Sequence, residues 1–530
     1  MKPFVCFLAL FVGLIGSGVF AQTEQTFTVM AWNIWHGGKE DGADVGPQRV
    51  VDVIKDSGAD VVAMQETYGS GERISKALEF EFHPRGTNVS IHSRFPVIED
   101  ISVFEEFKCV GALLEMPDKR RIAFYSIWLP YNKEIWEKGT RVNQVDQLTA
   151  ACQASCDDLK KIKSEIEKRL ADEKYKNVPV VIAGDFNSMS HLDYIPSFKK
   201  QFKATVDWPT SHVLLDDGFR DSYRELNPEV DRQTDRTWTP RFPDQEQDRI
   251  DFIMYRGNLS PRKSVVIDSH KLKFPSDHAA LVTEFAWPTE TQAAKQLRFV
   301  SYNIKHGLGN DNRLDLARTA ALLGNVHADV IGLQEVDNQC KRSKNVDQPE
   351  YLAKQLKMNS AFGSFMDYQG GQYGLAVLSR FPITKEHELR LPNGNEPRVA
   401  LACEIELPSG QKVMAVNVHF DWVKDDGFRF AQAQKVAEFL AKLEMPYVLL
   451  GDFNDTLGSR TLDLLSKGAV EADKPKEDTM TFSATKPVKE IDFVFASPIE
   501  SWTVRHCQLF HAAKTSDHRP VLAILELGEE

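Results

Sequence analysis

Seven polar positions in this 530-residue chain could do joint chemistry, and each occurs twice in the same order. Asn33, Glu66, Asp185, Asn187, Asp251, Asp277 and His278 follow one another in the first half, and Asn303, Glu335, Asp452, Asn454, Asp492, Asp517 and His518 repeat the series. Their surroundings repeat as well: FTVMAWNIWHGG returns as LRFVSYNIKHGLG, ADVVAMQE as ADVIGLQE, VPVVIAGDFN as MPYVLLGDFN, RIDFIMY as EIDFVFA, and PSDHAALVTEF as TSDHRPVLAIL. A single Asn or Asp-His pair commonly caps a turn, but two copies that have drifted elsewhere have no such reason to keep the whole ordered set. Carboxylates, amides and imidazole without cysteine form a hard-oxygen environment, suited to Mg²⁺ or Mn²⁺, with Ca²⁺ also compatible, better than to zinc held by soft ligands. The same groups suit hydrolysis: a carboxylate to orient water, an imidazole to stabilise or protonate, and an amide to hold a non-bridging oxygen. No GxSxG elbow or GxxxxGK[ST] loop offers a competing chemistry.

The elements that must position these residues are legible around them. Short runs rich in Val, Ile and Phe stop abruptly on the polar residues, which predicts strand ends converging at a sheet edge. Leu159, Ile162, Ile166 and Leu170 mark a helical stripe leading into the first GDFN strand, and Val436, Phe439, Leu440 and Leu443 mark its counterpart. Alternating strands and helices predict an α/β class of domain, present twice. Asn33 and Asn303 lie 270 residues apart, Glu66 and Glu335 269, and Asp185 and Asp452 267. The spacing then drops to 241 for Asp251 and Asp492 and 240 for Asp277 and Asp517. That places an insertion of roughly 26 residues in the first copy's proline-bearing segment 206–248, where surface loops tolerate it. The expected boundaries are a first domain over 22–287, a polar linker over 288–296 and a second domain over 297–530.

Composition excludes a disordered chain: 42% hydrophobic and 26% charged residues are ordinary globular values. The formal net charge of -12 repels polyanions at long range and weakens, without excluding, a nucleic-acid partner. Lys2 followed by the apolar run from Phe4 to Ile15, with Val19-Phe20-Ala21 before Gln22, reads as a signal peptide over 1–21, hence an exported, periplasmic or extracellular protein. No later stretch reaches the length of a membrane helix. Cys109, Cys152, Cys156, Cys340, Cys403 and Cys507 read mainly as small buried hydrophobes, with room for one disulfide.

The ordered set Asn, Gln-Glu, Asn-x-His, Gly-Asp-Phe-Asn, Ile-Asp-Phe and Ser-Asp-His resembles the endonuclease/exonuclease/phosphatase superfamily, in two tandem copies covering almost all of the chain after residue 21. The resemblance implies a four-layer α/β/β/α sandwich in each copy and metal-dependent cleavage of phosphoester bonds. It implies metal binding by Glu335 with Asp517 and Asn303 nearby, a water oriented by Asp452, a phosphoryl oxygen held by Asn454, and a charged phosphate stabilised by His518, itself fixed by Asp492. His419, in VNVHF, falls where nuclease members carry a group that assists the leaving oxygen. The first copy carries Asn33, Glu66 and Asp277 for the metal and Asp185, Asn187, Asp251 and His278 for catalysis. It has Ser126 in place of Asn417 and Trp128 in place of His419. Indole cannot exchange a proton, so the first domain is expected either to use another acid, with Tyr131 and His191 as candidates, or to bind substrate with reduced turnover.

The expected function is an exported divalent-metal-dependent phosphodiesterase, a nuclease-like hydrolase whose partner is a phosphate-ester substrate: nucleic acid, lipid headgroup or small phosphodiester. Lys489-Glu490-Ile491-Asp492 lacks the Trp-Cys-Asp-Arg-like segment expected of inositol phosphatases. A phospholipid or sphingolipid phosphodiesterase is the alternative, with Trp128, Trp136 and Trp422 as candidates for membrane contact. A non-catalytic binding protein on a degenerate hydrolase fold is the third reading.

Overall fold

A computed structural model describes residues 25–528. The apolar run Phe4 to Ile15 and the expected cleavage position lie outside the described residues. Two six-stranded sheets come from the first half and two from the second. In the first half, strands Thr26–Asn33 and Val61–Gln65 run parallel at the centre of one sheet, with Ala280–Ala286 antiparallel beside the former. Strands Arg121–Trp128 and Val180–Asp185 are the parallel pair of the other, with Asp251–Arg256 antiparallel beside the latter. The second half repeats both strand orders with Gln296–Asn303, Val330–Asn338 and Val521–Leu527, and with Lys412–His419, Tyr447–Asp452 and Asp492–Ser497.

Each pair of sheets encloses one apolar core, Val29, Ala63, Phe124 and Val181 in the first half and Phe299, Val330, Leu401 and Val448 in the second. Helices cover the outer faces. Leu159, Ile162 and Ile166 on the helix Gln153–Arg169 pack on their sheet, and Val436 and Leu440 on the helix Gly427–Leu440 pack on the corresponding one. This is the four-layer α/β/β/α sandwich, built twice. The polar stretch between the halves forms a short helix, Glu290–Lys295, capped by Thr289, and the next strand begins at Gln296. All six cysteines among the described residues are buried and unpaired; Cys152 and Cys156 lie at the start of a regular helix. No helix among the described residues is long and apolar enough to cross a membrane.

The nearly equal spacing of the two copies conceals two compensating differences. Trp128 and His419 are equivalent by register, each pairing with the Asp of its GDFN strand. They lie 291 residues apart, against 269 for the preceding Glu pair and 267 for the following Asp pair. The first copy is therefore 22 residues shorter before Trp128 and 24 longer after it. The extra chain forms the turns Lys133–Trp136 and Thr140–Val142 and the helix Val145–Ala151. These pack with Tyr194, Phe198, Phe202 and Trp208 as a separate small core beside the first domain's site. The second copy crosses the same gap with residues 420–426 alone.

Candidate functional site

The strand ends deliver the predicted residues to one edge of each sandwich, although not all of them are stops. Asp251 and Asp492 begin strands, and the Asp-His pairs precede strands; antiparallel pairing brings those starts to the edge where parallel strands finish. Asp185 thus faces Asp251 in register, as Asp452 faces Asp492. Glu335 lies inside its strand, at a bulge between Leu333 and Val336, with φ of 55°; Glu66 has φ of 53°. Asn187 and Asn454 are also left-handed, at 46° and 51°. Left-handed backbone at two equivalent polar positions in each copy re-aims their side chains, Glu335 from within its strand and the other three just past a strand end. The glycine before each Asp is required because a Cβ on Gly184 or Gly451 would collide with the carbonyl oxygen of Ile127 or Val418.

In the second domain, Asn303 Nδ2 donates to Glu335 Oε1 at 3.1 Å and to Asp452 Oδ2 at 3.2 Å. Asp452 Oδ1 accepts the Asn454 backbone N–H at 3.0 Å, and the Asn454 side chain is held by Phe420 O. His518 Nδ1 lies 2.9 Å from Asp492 Oδ2, and its Nε2 lies 3.6 Å from Asp452 Oδ2. His419 Nε2 approaches the same Asp452 oxygen at 3.4 Å. The ring of Phe482 backs His518, as Trp238 backs His278, at 4.9 Å in both. The first domain reproduces this network: Asn33 donates to Glu66 and Asp185, Asn187 to Asp185, and His278 Nδ1 lies 3.0 Å from Asp251.

Burial and neighbouring charge set the protonation states. Burial alone would neutralise His518, but Asp492 and then Asp452 overcome it and raise its pKa to about 10. Burial and the Asp492 charge push Asp452 up to about 7, partly offset by His518. Asp185 and His278 behave alike, at about 7 and about 10. His419 is different: burial, the Arg398 guanidinium and His518 hold it well below its ordinary value, so it is neutral. Arg398 can only donate, and its Nη1 faces His419 Nδ1 at 3.4 Å. Nδ1 is therefore the acceptor, and Nε2 carries the proton.

Two groups in each domain could hold a cation. The tightest is Asp452, Asp492 and His518, with Asp185, Asp251 and His278 as its counterpart. Because His518 already spends Nδ1 on Asp492, we read that group as a proton-holding triad. The open carboxylates are Glu335 and Asp517, or Glu66 and Asp277. Asp277 Oδ1 is buried without a hydrogen-bond partner, and burial raises that carboxyl to about 6, as fits a carboxylate arranged for a cation. In the second domain Asp517 instead meets Lys305 Nζ at 2.9 Å; the first domain has Trp35 at that position.

The copies part company around the leaving-group side. By strand register Phe107 is equivalent to Arg398 and Trp128 to His419, so an Arg-His pair in one domain is a Phe-Trp pair, in edge-to-face contact at 5.6 Å, in the other. The first domain's extra chain adds Tyr131 and Trp136, closing a cavity of about 520 Å³ that also reaches Glu66, Asp185, Asp277 and His278. Tyr131 therefore lies at the site. His191 does not line that cavity; it stacks on His212 and hydrogen-bonds Ser211, and burial lowers its pKa to about 4. Of the candidate membrane-contact residues Trp136 is buried, Trp128 is half-buried and Trp422 is 59% exposed.

Several residues have a positioning role that sequence reasoning did not assign to them, and others were not singled out at all. Gln334 donates to Asn417 Oδ1 at 2.7 Å, and Asn417 donates to Leu333 O and Ala376 O, so Asn417 ties the two sheets together behind the site. Gln65 and Ser126 do the same at 2.9 Å. Thr237 and Thr481 accept the amides of Asp251 and Asp492. Arg398 is legible only through strand register, because it lies 21 residues before His419.

The endonuclease/exonuclease/phosphatase family profile matches residues 30–278 and again 300–518. An uncharacterized Caenorhabditis elegans protein, F14F9.5, is 27% identical over 295 residues, 50% of this chain and 93% of that protein. The uncharacterized Escherichia coli protein YbhP is 27% identical over 266 residues, 45% of this chain and all of that one. Among solved structures, an endonuclease/exonuclease/phosphatase from Bacteroides vulgatus is 22% identical with a TM-score of 0.38, covering 44% of this chain and 99% of that one. The human Nocturnin catalytic domain with bound sulfate is 18% identical with a TM-score of 0.37, covering 44% and 94%. With two profile matches, each lying over one sandwich and its convergent polar edge, the chain belongs to the endonuclease/exonuclease/phosphatase family, whose members hydrolyse phosphoester bonds, and carries that domain twice.

Proposed function

We propose that the protein is an exported, divalent-metal-dependent phosphodiesterase whose second domain carries most of the turnover. The observation that carries this reading is the convergence of Asp452, Asn454, Asp492, His518 and His419 on one buried edge, with Asp452 pushed up to about 7 and His518 to about 10. Asp452 takes the proton of the attacking water, for which a carboxylate raised toward neutrality is well matched. His518, kept as imidazolium by Asp492, donates to the charge gathering on the phosphoryl oxygens. Asn454 holds a non-bridging oxygen. Neutral His419 presents Nε2–H to the leaving oxygen, as a hydrogen-bond donor and not as a store of imidazolium. Glu335, with Asn303 and Asp517 beside it, would hold Mg²⁺ or Mn²⁺, which supplies Lewis-acid stabilisation of the phosphoryl oxygens.

The first domain keeps the phosphate-side groups and loses the donor pair, so it binds phosphate esters and turns them over slowly. The apolar run at Phe4 to Ile15 supports export. A second reading, a lipid phosphodiesterase, is favoured by Trp422, Leu457 and Val488, each more than half exposed in loops that follow His419, Asn454 and Phe482. A panel of an aryl phosphodiester, an aryl phosphomonoester, plasmid DNA and sphingomyelin vesicles, with Mn²⁺ or with EDTA, tests both. EDTA-sensitive cleavage of soluble diester or DNA is expected; headgroup release from vesicles alone would establish the lipid reading, and no turnover of any substrate would refute a hydrolase.

A further inference from the structure

The two copies hold the loop before their Asp-His pair by different means. In the first, Phe274 is buried against Trp32, with ring centroids 5.4 Å apart, and Pro275 follows. In the second, the equivalent residues are Lys514 and Thr515, so that apolar anchor is missing. The loop is held from the other domain instead. Glu229, in the first domain's connection after the helix Ser222–Leu226, accepts the Lys514 backbone N–H at 3.1 and 3.0 Å on its two oxygens and the Thr515 hydroxyl at 2.5 Å. The preceding Pro228 carbonyl accepts from Asn325 of the second domain at 3.2 Å, and Asp231 pairs with Lys514 Nζ at 3.3 Å.

Within the second domain, Asn310 donates to Ala513 O and Ser516 O at 2.9 and 2.8 Å. Ser516 Oγ donates to Asn303 O at 2.7 Å, and Asp517 and His518 follow directly. Thr515 and Ser516 are fully buried, so a polar partner removed here is not simply replaced by bulk water.

We propose that Glu229 is a positioning residue for the second domain's site: from the first domain it fixes the Lys514–Ser516 turn, and through that turn Asp517 and His518. The proposal rests on the reading of the second domain as the hydrolase. It makes the two domains one functional unit, in which the second site is completed by docking of the first. It also gives the less active copy a role that requires no turnover of its own.

The test uses the full chain carrying Asp185→Ala, so that turnover reports the second site, with Glu229→Ala, Glu229→Gln and Thr515→Val added singly. The readouts are kcat and KM on an aryl phosphodiester with Mn²⁺, and amide hydrogen exchange by mass spectrometry. Glu229→Ala is expected to lower kcat about ten- to a hundredfold with little change in KM, as small misplacements of reacting groups do. Glu229→Gln, which keeps one acceptor oxygen, recovers most of the loss. Exchange over 511–518 accelerates at least tenfold while that of the strand Tyr447–Asp452 stays at the parent rate. Unchanged kcat and unchanged exchange over 511–518 in Glu229→Ala would overturn the proposal. If Glu229→Ala melts the whole protein, Thr515→Val, which removes only the hydroxyl donor, decides by the same exchange readout. An Asp185→Ala parent without turnover refutes the reading of the second domain as the hydrolase, and the exchange measurement still decides whether Glu229 holds the turn.

Discussion

Replacing Asp492 by Asn separates charge from geometry at the second site. Asp492 presents both carboxylate oxygens to His518 Nδ1, at 2.9 and 3.2 Å, and the two groups are buried together. Against that burial the pKa of His518 rises from 6.5 to about 10, which corresponds to about 5 kcal/mol of net preference for imidazolium. Asp492 contributes more of this than Asp452, which lies 3.6 Å from the other ring nitrogen. Asparagine keeps the size and one acceptor but no charge, so the His518 pKa should fall by about two units, toward about 8.

The sign follows directly. A raised histidine pKa favours the charged form up to high pH, so lowering it removes imidazolium from the alkaline side first. At pH 6.5 Asp492→Asn retains most of the protonated ring; at pH 9 about a tenth of it remains. The assay is a ring-proton NMR titration of His518, assigned with a His518→Gln control, together with kcat/KM against pH in the Asp185→Ala background. The expected result is an alkaline limb moved acidward by about two units, with the acid limb, set by the Asp452 group, still present. Because the triad titrates as a group, both limbs are apparent values. A His518 titration equal to that of the parent would refute the electrostatic reasoning.

His419→Trp should lower second-domain kcat about a hundredfold with KM nearly unchanged, because a leaving-group donor acts in the transition state; unaltered turnover would show that position 419 is idle. Conversely, Phe107→Arg with Trp128→His, in an Asp452→Ala background, should raise first-domain turnover, and no gain would mean that the aromatic pair is not what limits it. Glu335→Gln should weaken Mn²⁺ binding at least tenfold by isothermal titration, with thermal stability unchanged in EDTA; equal affinity would place the cation elsewhere. Gly451→Ala, which drives a Cβ into the Val418 carbonyl, should cost about 2 to 3 kcal/mol in denaturant unfolding. A loss under about 0.5 kcal/mol would show that this backbone is free to move.

Much of the site is legible in the sequence because it is written twice. Repetition separates Asn303, Glu335, Asp452 and His518 from the many polar residues that end strands for no catalytic reason, and the Val- and Ile-rich runs place them at one edge. What the one-dimensional spacing hides is compensation. A 22-residue deficit before Trp128 and a 24-residue excess after it nearly cancel, so the aromatic extension beside the first site leaves almost no trace in the overall offset. Residues that act across strand register or between domains are hidden for the same reason: Arg398 reaches His419 through a ladder, and Glu229 reaches Thr515 across 286 residues of chain. Tautomer and charge, which make His419 a neutral donor and His518 a cation, depend on neighbours that no motif spacing specifies.

The most direct measurement is metal-dependent turnover of an aryl phosphodiester by the parent, Asp452→Ala and Asp185→Ala proteins at equal concentration, with and without EDTA. EDTA-sensitive turnover that is lost in Asp452→Ala and largely kept in Asp185→Ala is the expected result, because only the second domain pairs the buried triad with the Arg398–His419 couple. Turnover that survives Asp452→Ala and vanishes in Asp185→Ala would contradict it and make the aromatic-walled first site the enzyme.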